Sequence, residues 1–161
     1  MHLSACILAV LLAATSGLGP LLELEWPDQR GGSGGLVAHR GQVAVVVVVD
    51  ARRLAQVRRW EEQLLGRYPD LPVVTVADVD EDSKPELERV RTVLARRVPP
   101  EVSVLIDLER DWARTLSLDT GAPNILVLGG NGNVVEHLRG RWTAEGGERL
   151  LQSVARLRQA A

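Results

Sequence analysis

The chain has 161 residues, 45% of them hydrophobic and 25% charged, with a formal net charge of −2. That length suits one domain with a real core, and the near-neutral balance excludes the basic field with which duplex-binding proteins neutralise phosphates. There is no Phe and a single Tyr, so Val, Leu and Ala must fill the interior with four Trp as the bulky pieces; Lys84 is the only lysine among 19 basic residues.

The chain begins with "MHLSACILAVLLAATSGLGP". The apolar run from Ala5 to Ala14 leads into Thr15, Ser16 and Gly17, small residues of the kind a signal peptidase cuts beside. Residues 1–20 are therefore read as a signal peptide or N-terminal anchor, with residues 5–18 available as a membrane tether, and 21–161 as the domain. The run is short for a span, which needs about 20 apolar residues. Cys6, the only cysteine, falls inside this segment. A processed chain would have no disulfide, no thiol nucleophile and no thiolate ligand.

Past the leader, "LLELEW" (21–26) reads as a short strand and "PDQRGGSGG" (27–35) as a loop. "VAVVVVV" (43–49) has no polar alternation, so both its faces must be covered, which marks a central strand. "ARRLAQVRRWEEQLLGRY" (51–68) carries Leu54, Val57, Leu64 and Leu65 at helical spacing. "LPVVTVAD" (71–78) is a second buried strand. A helix is expected over 84–98, capped by Ser83 with Pro85 in its first turn. "VSVLID" (102–107) is a third strand and "RDWARTLSL" (110–118) a short helix. "NILVLGGNGNVVEHLRG" (124–140) reads as a hairpin on a Gly/Asn turn, and 143–159 as a closing helix with Leu150, Leu151, Val154 and Leu157 inward. The alternation predicts an α/β sandwich of three layers: a central mixed sheet, helices on both faces, and a C-terminal hairpin plus helix.

Two phrases add a resemblance. "LVAHRGQVAVVVVV" resembles the entry into the central strand of the thioredoxin-like superfamily, in particular its exported redoxin and thiol-disulfide-interchange branch. "TGAPNILVLGGNGNVVEHLRG" resembles that family's Gly-x-Pro, strand, glycine turn, strand and closing Gly. The resemblance covers about residues 21–158 and places Pro123 at the family's cis-proline, Gly132 at the hairpin glycine and Gly140 at the closing glycine. It also puts Arg53-Leu54-Ala55-Gln56 where the family has C-x-x-C at a helix start. Exchange needs an attacking sulfur, so the family's activity does not carry over.

The resemblance implies instead an exported, periplasmic or secreted module that binds a protein or extended peptide of the cell envelope. Its candidate surface is Arg52, Arg53 and Gln56 with Ala122 and Pro123, since main-chain pairing beside the proline needs no thiol. No catalytic residue, cofactor or metal ligand is assigned. The alternatives are non-thiol or degenerate chemistry in the same cleft, and redox activity through Cys6. Asp78, Asp80 and Asp82 mimic the start of a calcium loop, but Ser83 and Arg89 stand where it needs Gly and Glu; a solvated loop is expected there. Asp107, Glu109 and Asp111 are read as helix-capping acids. His39 and His137 have no partner pattern. Trp60, Trp112 and Trp142 are read as space fillers, Trp142 being the one that could flank the proline.

Overall fold

The computed structural model describes residues 17–161; Cys6 and the apolar run 5–14 lie outside the described residues. The valine run forms β3 (Ala44–Asp50), buried at every position because both its faces are covered. It pairs in parallel with β4 (Val73–Asp78), which pairs in parallel with β5 (Val104–Asp107). On its other side β3 meets β6 (Asn124–Leu128) antiparallel, and β6 is followed by β7 (Val134–Arg139). The strand order is β5-β4-β3-β6-β7. Each fully buried valine is worth about 1.5–3 kcal/mol of apolar burial, so the central strand anchors the domain.

Alternate residues of β3 serve opposite layers. Val45, Val47 and Val49 pack on α1 (Arg58–Arg67) and α4 (Ala144–Ala160) through Trp60, Leu64, Leu150 and Val154. On the same face, α2 (Leu87–Ala95) lays Val90 and Leu94 over Ala77, Val104 and Ile106. Val46 and Val48 face the other layer, built from Leu18, Leu21, Trp26 and Leu36 with Trp112 of α3 (Asp111–Leu116). Trp60 and Trp112 are thus the bulky fillers of opposite faces, as the missing Phe requires.

The structure departs from the expected elements in three places. The segment 21–35 is not strand then loop: β1 (Glu25–Pro27) and β2 (Ser33–Gly35) form a small antiparallel hairpin. It lies along β5, where the Gln29 side-chain amide acts like a peptide unit, accepting from Val104 N–H at 2.8 Å and donating to the Val102 carbonyl, and so shields one sheet edge. Helix 51–68 is broken: Ala51–Gln56 is a 3₁₀ turn with Arg53 out of helical geometry, and α-helix starts only at Arg58. Ser83 caps nothing. Pro85 disfavours helical geometry in the residue before it, and α2 begins two residues beyond it, after Glu86 in extended conformation.

Candidate functional site

The three parallel strands all end in aspartate: "VVVVVD", "VVTVAD" and "VSVLID". The register aligns Asp50 with Asp78, and Asp78 with Asp107, so three buried carboxylates lie in a row at the carboxyl end of the sheet. This is the end at which open α/β sheets place their ligands. The sequence carried the signal in the repeated strand ending, which reading element by element passes over.

Each carboxylate is satisfied differently, as burial demands. Asp50 caps the 3₁₀ turn, accepting from the Arg52 N–H at 2.8 Å and from the Arg52 guanidinium at 2.9 and 2.6 Å. Burial works to raise its pKa, but the bonds from Arg52 and the charges of Arg52 and Arg53 outweigh it and hold Asp50 below the usual carboxylate range. Asp78, fully buried, accepts from the Arg110 guanidinium at 3.0 Å and the Thr120 hydroxyl at 2.6 Å. Arg110 reaches it from a left-handed backbone position (φ 58°) just before α3 and also pairs with Asp80 at 2.8 Å. The hydrogen bond from Arg110 to Asp78, with the acid charges around it, raises the Arg110 pKa further. Asp107 accepts from the N–H groups of Asp111 and Trp112, both at 3.0 Å, and so caps α3. Burial nevertheless pushes its pKa up, helped by the negative charges of Asp111 and Asp78.

The stretch read as replacing the two cysteines sits beside this row. Arg52 and Arg53 are exposed and Gln56 is half-buried on the 3₁₀ turn. The loop carrying Ala122 and Pro123 lies at the same end of the sheet: the Asp50 N–H donates to the Thr120 carbonyl at 2.9 Å, and Val48 is in register with Asn124. The proline, however, differs from expectation. All peptide bonds among the described residues are trans, Ala122–Pro123 included, and Pro123 is buried. Trans is the intrinsically favoured isomer, and Asn124 makes use of it: its side-chain N–H groups donate to the carbonyls of Asp119 (2.8 Å) and Ala122 (3.1 Å), while the Pro123 carbonyl accepts from Gly140 at 2.8 Å. The carbonyls on both sides of the proline bond thus already accept within the chain, Ala122's from a side chain and Pro123's from the backbone.

The other sequence candidates fall apart in space. Asp78 and Asp80 share the Arg110 guanidinium, and among the described residues no group of three or more His, Cys, Asp or Glu is placed to hold a metal ion. His137 meets the Asn124 side chain at 2.9 Å, its pKa lowered by burial and by Arg139. Trp142 packs edge-on against Trp60, with centroids 5.0 Å apart, and covers Gly147.

No family model matches this sequence and no curated protein matches it. Solved structures do. The exposed lipoprotein thioredoxin of Streptococcus pneumoniae superposes with a TM-score of 0.66 at 14% identity, over 83% of this chain and 98% of that one. The chain has a thioredoxin fold. A thiol:disulfide interchange protein DsbE from Chlorobium tepidum (TM-score 0.61, 18% identity, 83% and 92% covered) and a secreted disulfide oxidoreductase of Mycobacterium tuberculosis (0.60, 15%, 86% and 99%) are similar in the same way. Identities this low speak for the fold alone. Within that fold, the position after the central strand holds Arg53 and Gln56 on a 3₁₀ turn, in a chain whose only cysteine is Cys6.

Proposed function

We propose that this protein is an exported thioredoxin-fold binding module without thiol redox activity, which engages an extended segment of a cell-envelope protein. The observation that carries the reading is the turn itself. Where exchange chemistry would need a sulfur at a helix N-terminus, the chain sets Asp50 as a cap, spends Arg52 on it, and leaves Arg53 exposed beside Gln56. An ion-paired turn of this kind is a rigid frame with one uncommitted cation, suited to holding a partner rather than reacting with it.

Export is supported by the apolar leader in the sequence and by structural neighbours that include an exposed lipoprotein and a secreted oxidoreductase. No helix among the described residues is long and apolar enough to cross a membrane. The reading is tested by amide NMR of the full chain titrated with a pool of extended, cysteine-free decapeptides. Shifts should cluster at Arg52, Arg53, Gln56 and Ala122 and weaken in Arg53→Glu and Pro123→Ala. Equal binding by wild type and both variants would sink the surface.

A further inference from the structure

On the face of the sheet opposite the aspartate row, α2 and the 3₁₀ turn enclose a cavity of about 230 Å³. Its floor is apolar: Val79, Val90 and Leu94 are buried there, and Val93 stands 39% exposed at the mouth. Arg89 and Val93, four apart and so on one side of α2, line it together with Pro85 before the helix and Arg97 just past its end. The cavity therefore has a cationic rim over a hydrophobic floor.

The rim charges are not equivalent. Arg52 lines the cavity but is spent on Asp50, and Glu81 lies beside it. Arg89 and Arg97 form no ion pair among the described residues. Guanidinium groups match carboxylates bidentately, and the volume is below the roughly 300 Å³ at which drug-sized pockets begin. We infer that this cavity binds a carboxylate bearing a short branched apolar tail: the tail on Val79, Val90 and Leu94, the carboxylate at Arg89 and Arg97. A free short-chain acid and the C-terminus of a peptide ending in Leu present the same chemistry. The inference stands apart from the peptide surface proposed above, since of those residues only Arg52 is shared.

The test is methyl and amide NMR of the full chain with three probes: 4-methylpentanoate, its primary amide, and N-acetyl-Gly-Gly-Leu with a free carboxylate. Saturable shifts at Val79, Val90, Val93 and Leu94 are expected with at least one acid, the tighter acid identifying the source. The amide should bind about tenfold more weakly, because it lacks the charge-assisted pairing, and Arg89→Gln/Arg97→Gln should lose the same factor with an unchanged fold. Neither acid binding, acid and amide binding equally, or shifts confined to the Ala122 loop would overturn it.

Discussion

Two sets of arginines in this domain do opposite things. Arg110 and Arg52 are drawn into the protein's own carboxylates: Arg110 onto Asp78 and Asp80, Arg52 onto Asp50. Arg89 and Arg97, one helix away, flank an apolar cavity without a partner of their own among the described residues. The first set neutralises charge that burial would otherwise make intolerable; the second leaves charge at the surface beside a place to put an apolar group. In this chain the turn after the central strand ties Arg52 to Asp50, while Arg89 and Arg97 stay unpaired among the described residues beside the α2 cavity.

The comparison breaks most visibly at Arg110. Arg110→Ala leaves the fully buried Asp78 with only Thr120 as a side-chain partner. Loss of about 3 kcal/mol in urea denaturation is expected, at the low end for a broken buried pair because Arg110 is itself partly exposed. Thr120→Val keeps the shape and removes one hydrogen bond to the same carboxylate, and should cost about 1.5–2 kcal/mol in the same assay.

Acid titration sharpens the contrast within the row. Asp50, held low, contributes stability that is complete above its unfolded value near 3.9 and is lost as pH falls through its depressed folded value. Asp107, pushed up, acts with the opposite sign: stability declines as pH rises from the unfolded value through its raised one. Asp50→Asn should therefore flatten the fall in the urea midpoint below about pH 4, whereas Asp107→Asn should steepen the net acid dependence. The smallest effect belongs to the free set. Arg89→Gln/Arg97→Gln should change stability by less than about 0.5 kcal/mol, as expected of surface positions without partners.

What could be read from the sequence follows the physics of each element. The valine run and the parallel strands declare themselves because burial on both faces leaves little room for polar residues, and the terminal hairpin through its turn glycine, since Gly132 adopts φ +77°. The broken helix at 51–57 was hidden, since Leu54 and Val57 keep helical spacing whether the turn is 3₁₀ or α. The trans proline departs from expectation because the resemblance put Pro123 at a cis position, whereas the chain keeps the intrinsically favoured isomer. The aspartate row was signalled by three strand endings, but only the register shows that they align.

The most direct test of the central claim, a thioredoxin fold without thiol exchange, is an insulin-reduction assay on the full-length chain and on Cys6→Ser. Both should leave the dithiothreitol background rate unchanged. Acceleration by wild type that disappears in Cys6→Ser would contradict the account and return the protein to redox chemistry.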